Sequence, residues 1–242
     1  MKAWDTPEAS PDKPQVYWAY SDVLLMGALA VPLLVAATGL VMLPTLLLGW
    51  NPPFKAVPLL MSQFVFYVLW LGFLIAWLRV HYRRPFWSAM AWRRPEKGWG
   101  NCFAWGVVTA LGVIALGGVL RPPQMEMPLM ELLRDRTSLF LVGGFAVTLG
   151  PLWEELAFRG FVMPLLVRNL TAAPAILGTA VLFSLLHGPE YAWSWKHLTL
   201  ITVAGVAFGW MRQHSGSTAA ATVMHAGYNI IFFFGMLLPR PS

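Results

Sequence analysis

The chain has 242 residues, of which 57% are hydrophobic and 12% charged, with a mean hydropathy of +0.60 and a net charge of +6. Soluble domains carry roughly a quarter charged residues, so this composition excludes an ordinary soluble protein and places the chain in the membrane class. Cys102 is the single cysteine, which excludes an intrachain disulfide and a cysteine-based metal cluster.

The first twenty-one residues are polar and contain prolines, without the apolar core of a cleaved secretory signal, so the first hydrophobic run reads as a retained span. A helix needs about twenty apolar residues to cross the hydrocarbon. On that ruler spans are expected at Val23–Gly49, Val57–Val80, Cys102–Leu120, Ser138 to about Val167, Ala173–His187, His197–Met211 and Ser217–Leu238, the fifth and sixth being short. The expected fold class is all-α, a polytopic membrane helix bundle of about seven transmembrane helices. Pro32, Pro44, Pro151 and Pro164 fall inside spans and predict kinks. No repeat, low-complexity tract or long polar linker divides the chain. It reads as a polar segment 1–21, three helices with a basic loop over 22–137, a core of about four helices over 138–238, and a tail 239–242. Gly205 and Gly209 in "GVAFG" have the small-xxx-small spacing of close helix packing. The thirteen tryptophans read mostly as interfacial anchors.

Orientation follows from basic residues in short loops. Between Arg79 and Lys97, Arg79, Arg83, Arg84, Arg93, Arg94 and Lys97 face the single acid Glu96, which marks this loop as cytoplasmic. Its "PFWSAMAW" suits a short amphipathic piece in the interface. The loop "RPPQMEMPLMELLRDRT" mixes Arg121, Arg134 and Arg136 with Glu126, Glu131 and Asp135 and gives little signal. Alternation then puts the N-terminus, Arg168 and Arg212 inside and the C-terminus outside. The positive charge reports membrane orientation; no nucleic acid is expected as a partner.

Charges inside a bilayer are costly and mark function. From Ser138 onward the carboxylate side chains are Glu154, Glu155 and Glu190, the last in the loop "GPEYAWSWK". Of the histidines there, His197 and His214 fall at span ends, which leaves Glu154, Glu155, Arg159, His187, His225 and Asn229 as the intramembrane polar set. Glu155 and Arg159 are four apart and can pair along one helix face. Glu154 points about 100° away from Glu155. His225 and Asn229 are again four apart. Three helices can therefore aim a carboxylate, an imidazole, and an imidazole plus an amide at one point.

"EELAFR" fits EExxxR, "FSLLH" fits FxxxH and "HAGYN" fits HxxxN. In that order, on successive hydrophobic segments, they resemble the CPBP (CAAX protease and bacteriocin-processing) intramembrane endopeptidases, which include the Rce1-like enzymes. The resemblance covers roughly the last hundred residues; the first three spans agree only as hydrophobic helices. It implies hydrolysis of a peptide bond near the terminus of a membrane-attached protein or peptide, such as a C-terminal sorting or lipidated segment, in the cell membrane, for a bacterial chain the inner one. Glu154 is the candidate general base on water, with His187 holding that water or sharing its proton. His225 and Asn229 are the candidate oxyanion donors. Glu155 and Arg159 support them by fixing the helix.

The same residues allow a metal reading, in which Glu154, His187 and His225 hold zinc with an open position for water; the metal-free version is favoured for the oxyanion role open to Asn229. There is no HExxH, no GxSxG, and no aspartate central to a span, while Ser184 reads as a backbone hydrogen bonder. A non-hydrolytic protein remains as the alternative, either a proton-coupled transporter using Glu154 and His187 or an immunity or scaffold protein. A transporter would carry a second charge set in a symmetry-related half, and none is evident. Glu154 lies fourteen residues before Arg168 and His187 nineteen after it, roughly 20–30 Å of helix. This predicts a site in the outer half of the membrane, so that either the topology is inverted or the substrate comes from outside.

Overall fold

The computed structural model describes residues 16–54, 56–123, 133 and 135–237. The tail 239–242, most of the polar N-terminal segment, and Glu126, Glu131 and Arg134 lie outside the described residues. Among those described there is no strand; the rods are α1 (Tyr20–Leu48), α2 (Ala56–Tyr82), the one-turn α3 (Phe86–Ala89), α4 (Trp99–Leu120), α5 (Arg136–Val147), α6 (Leu149–Glu155), α7 (Met163–Asn169), α8 (Ala172–Leu186), α9 (Trp195–Ser215) and α10 (Thr218–Leu237). A π-helical stretch, Leu156–Val162, joins α6 to α7. The chain is an integral membrane protein, a polytopic helical bundle.

The seven expected spans appear as seven rods, α5 to α7 forming one bent rod. Five are long and apolar enough to cross a bilayer: α1, α2, α4, the combined Arg136–Asn169 rod, and α10. The expected fifth span, α8, has 15 residues. The sixth, α9, is longer than expected but carries His197, Arg212 and His214. Prolines act unevenly. The first helix runs unbroken through Pro32 and Pro44, whereas the fourth rod breaks at Thr148, three residues before Pro151. Pro164 stands at the start of α7, where its missing N–H ends the π stretch.

Both ends of the bundle are defined by hydrogen bonds that join loops distant in sequence. At one end, Arg168 Nη1 donates to the Val16 carbonyl (2.9 Å) and Arg84 lies over the Tyr17 ring. There too Ser217 Oγ donates to the Arg93 carbonyl, and Thr218 Oγ1 to the Met90 carbonyl. Asp22, in the first turn of α1, accepts from Trp77 Nε1 (2.9 Å) and the Tyr82 hydroxyl (2.5 Å) of α2. The basic loop, Arg168 and Arg212 thus share one end, as alternation requires. At the other end Lys196 Nζ donates to the Arg121 carbonyl (3.1 Å). Asp135 caps α5 there, accepting the Ser138 N–H at 2.7 Å, and hydrogen bonds from Ser138 hold its carboxyl below the usual carboxylate range.

Packing is densest where glycines remove side chains. A Cβ on Gly106 of α4 would run into the Met224 carbonyl oxygen and come within 2.8 Å of the Tyr228 nitrogen of α10. Gly209 meets Ile176, and Gly205 meets Ala180, which brings α8 and α9 together as the GxxxG spacing implied. The tryptophans divide in a way composition did not show. Trp87, Trp193 and Trp195 are exposed, but Trp18 and Trp70 are buried and donate to the Phe161 and Met26 carbonyls. A ring that finds both apolar walls and a carbonyl acceptor serves the interior as well as the interface.

The α4–α10 contact is backbone against backbone, so no side chain can yield to relieve it. G106V is expected to cost about 1–3 kcal/mol, the range for overpacking, whereas G112V, with open space around its Cβ, should cost little. Thermal unfolding of the two variants in detergent compares them directly.

Candidate active site

The site begins with the way the two adjacent glutamates are turned. Trp153, immediately before them, stacks on Tyr67 (4.7 Å between ring centroids) and meets Phe66 (5.4 Å) and Trp70 (5.3 Å), all on α2. This aromatic clamp fixes the rotation of α6. The Glu155 side chain, with no exposed surface, then points into the bundle, while that of Glu154 keeps 20% of its surface accessible. Of the two carboxylates, only Glu154 reaches a space that could hold water and substrate.

Glu155 is the hub of a buried polar set. Its Oε1 accepts from Arg159 Nη1 at 3.1 Å and contacts His225 Nδ1 at 3.0 Å. Arg159, equally buried, donates its Nη2 to the Gly205 carbonyl at 2.6 Å, and its guanidinium lies 5.0 Å from the Phe183 ring and 5.6 Å from the Phe208 ring. A Cβ on Gly205 would stand 3.3 Å from that guanidinium, so the glycine serves both helix packing and this contact. The pairing expected from the four-residue spacing persists although it spans the start of the π stretch, a type of distortion often found at functional sites.

Hydrogen bonding fixes which ring nitrogens face the cavity. A carboxylate paired to arginine is an acceptor, so His225 Nδ1 carries the proton it shares with Glu155. His225 Nε2 is left facing Glu154 Oε2 at 3.7 Å. His187 Nδ1 lies 2.9 Å from the Phe183 carbonyl, which can only accept, so His187 Nε2 is its free nitrogen. Asn229 Nδ2 donates to the Ala146 carbonyl of α5 at 2.7 Å, which uses one of its two N–H bonds. Ser184 donates to the Val181 carbonyl and accepts from Thr202, a structural pattern.

These residues meet in one place. Glu154, His187, His225 and Asn229 all line a cavity of about 590 Å³ bounded by α2, α5, α6, α9, α10 and the end of α8. Glu155 and Arg159 are not in its wall. Four further polar residues are: Gln63 and Tyr67 of α2, Glu190, and Tyr228 of α10. Glu190 reads from the sequence as a loop residue, yet the 3₁₀ turn Pro189–Tyr191 folds back on His187, with the Glu190 N–H donating to the His187 carbonyl (3.1 Å). Its three-residue spacing from His187 was the available signal. Tyr67 and Gln63 had none, since their spans agreed with the resemblance only as hydrophobic helices.

Among the described residues, no three histidine, cysteine, aspartate or glutamate side chains converge closely enough to hold a metal ion. Glu154, His187 and His225 supply the donor types for zinc and line one cavity, but they do not stand close enough together to share one ion.

The ion pair is the part of the site most sensitive to truncation. Removing one partner strands the other charge in apolar surroundings, which costs about 3–5 kcal/mol. R159A is therefore expected to destabilise by that order, and the double variant E155L/R159M to recover part of the loss; equilibrium unfolding in mixed micelles measures both.

Comparison with known proteins adds one finding. Residues 136–231 match the family described as type II CAAX prenyl endopeptidase Rce1-like. No curated protein and no solved structure matches the chain. The matched stretch runs from the first residue of α5 into the middle of α10 and contains Glu154, Glu155, Arg159, His187, His225 and Asn229. Over that segment the chain is similar to the Rce1-like family, which is described as one of endopeptidases.

Proposed function

We propose that the chain is an intramembrane endopeptidase in which Glu154 activates water for attack on a peptide bond of a membrane-attached protein. The observation that carries this reading is the convergence of Glu154, His187, His225 and Asn229 on one cavity, with Glu155 and Arg159 buried behind them. Glu154 takes a proton from the water, whose oxygen bonds to the carbonyl carbon while the carbonyl π pair moves onto oxygen. His187 Nε2, the nitrogen not engaged by the Phe183 carbonyl, holds that water. The oxyanion is met by His225 Nε2–H in the imidazolium form and by the second N–H of Asn229. Glu155, at Nδ1, offsets the charge of His225 throughout, and Glu154, beside Nε2, does so until it takes the proton from the water. Collapse breaks the C–N bond, and the leaving amine takes the proton from Glu154. One water is consumed, and a new carboxyl terminus and a new amine result.

Each residue type suits its task for a physical reason. A carboxylate facing a mostly apolar cavity competes with little bulk water for the proton it removes. Donors fixed in position before the reaction need no reorganisation as charge develops. His225 is held by Glu155, and Asn229 by Ala146. The localisation that goes with this reading is a cell membrane, for a bacterial chain the inner one.

Purified protein with an internally quenched peptide tests the assignment. E154Q is expected to lower the cleavage rate by roughly 10²–10⁴-fold, the usual span for a general base, without lowering thermal stability. N229A is expected to lower kcat by about 10²–10³-fold, as for loss of one oxyanion donor. Cleavage should survive 1,10-phenanthroline. Undiminished activity in E154Q would remove Glu154 as the base, and loss on chelation with recovery on adding zinc would replace the water-activating carboxylate by a metal.

A further inference from the structure

Gln63 and Tyr67 of α2 border the cavity and take no part in the hydrolysis described above. They stand one turn apart on one face of the helix, next to Leu59 and Leu60 of the preceding turn. Local bonding settles Ser62, whose hydroxyl donates to the Pro58 carbonyl at 2.8 Å. Gln63 is different: it is half-buried at the cavity wall, and its hydrogen-bonding neighbour is the Tyr67 hydroxyl. A carboxamide withdrawn from water is costly unless its hydrogen bonds are made.

Tyr67 is held rigidly. Its ring lies parallel to that of Trp153, with 8° between the planes and 4.7 Å between centroids, and stacks on Phe145 at 5.6 Å. Only 7% of its surface is exposed. Trp153 immediately precedes Glu154, so the stack sets the hydroxyl near the base, whose charge is felt there. Gly150, one turn before Glu154, lines the same cavity, and a Cβ on it would lie 4.0 Å from Glu154 Oε1. A substrate main chain can therefore approach the base without meeting a side chain at that point.

A peptide drawn into this space leaves water with its N–H and C=O groups, and each one left unpaired is costly. Apart from Leu133 and the turn Pro189–Tyr191, the described wall is helical, and helices have spent their main-chain groups on one another. What that wall offers a substrate backbone is thus its side chains. Glu154, His187, His225 and Asn229 are committed to the water and the oxyanion. Of the other polar side chains described there, Gln63 alone is an amide, with a donor and an acceptor side by side. An ionised carboxylate such as that of Glu190 only accepts. In an extended chain the N–H and C=O of one residue point the same way, so one carboxamide can meet both, as residues do across antiparallel strands. The Tyr67 oxygen can take one Gln63 N–H, which leaves the other N–H and Oε1 for this pairing.

We propose that Gln63 is a substrate-binding residue whose carboxamide pairs with the N–H and C=O of one extended residue beside the scissile bond, and that Tyr67 is the positioning residue that orients it. The ligand class is an extended peptide main chain. A helical segment, with its amides paired internally, gives this site nothing to hold. The inference rests on the hydrolytic reading for the place of the scissile bond, and the test separates the two. Internally quenched peptides carrying one N-methyl group, at each amide in turn, are assayed with full-length wild type, Q63L and Y67F. In wild type, one position flanking the cleaved bond is expected to lower kcat/KM roughly tenfold, the loss of one hydrogen bond. In Q63L the unmodified peptide is expected to be cleaved roughly tenfold less efficiently, with no further cost from that N-methyl group. Y67F keeps the ring stack and is expected to lose part of the same discrimination at unchanged Tm. N-methyl penalties equal in wild type and Q63L at every position overturn the proposal, as does wild-type kcat/KM in Q63L; Y67F indistinguishable from wild type overturns the positioning role. The same sequences with a single fluorophore, bound to E154Q in detergent and read by anisotropy, report the contact without chemistry. A Kd raised by one N-methyl group in E154Q but not in E154Q/Q63L supports the subsite even where wild-type protein cleaves nothing, an outcome that removes the protease alone. Binding indifferent to N-methylation overturns the subsite and leaves the protease standing, and neither binding nor cleavage removes both.

Discussion

The contact on which the site depends is the buried ion pair of Glu155 and Arg159. Two charges without exposed surface in an apolar bundle are tolerable only if each is matched, since an uncompensated charge there costs several kcal/mol. Matching draws in the neighbours. Arg159 needs the Gly205 carbonyl and so fixes α9; Glu155 engages His225 and so fixes α10. One pair therefore sets the relative rotation of three rods. Because successive helical residues turn by about 100°, locking Glu155 inward also decides where Glu154 points. The residue with no charge partner within its own helix is aimed by the one that has such a partner.

Much of this was legible in the sequence, and the reasons are specific. Hydropathy finds helices in lipid because backbone polar groups there must pair within their own segment, and the rods follow the expected spans apart from the lengthened α9. The four-residue spacings of Glu155 with Arg159 and of His225 with Asn229 are local facts, readable without a fold. The break at Thr148 and the π stretch were not readable, because they answer to tertiary demands on where Trp153 and Arg159 must sit. Nor could Tyr67 be assigned to the cavity. An aromatic residue in an apolar run looks the same whether it faces lipid, core or substrate. Glu190 was visible but was judged by its loop; only the turn that folds it back on His187 shows its place.

Aromatic rings do two kinds of work around the site. The stack of Trp153 on Tyr67, with Phe66 and Trp70 beside it, holds α6 to α2. Phe183 and Phe208 instead enclose the Arg159 guanidinium and face His225. Ring faces are weak acceptors for a cation, so they can surround a charge without offering it a proton or a competing carboxylate. That leaves the carboxylate of Glu155 undivided between its arginine and its histidine. A leucine-lined pocket of the same volume would give neither the clamp nor the screen.

The seam between α4 and α10 has a practical corollary. Residues 136–231 carry the family likeness, yet α4 lies outside them and meets α10 main chain to main chain at Gly106 and Gly227. The recognisable portion is consequently not a detachable module. Excised, it would bare a groove on α10 shaped for a partner it no longer has. Chimaeras that carry this portion into another chain should keep the native α4 with it.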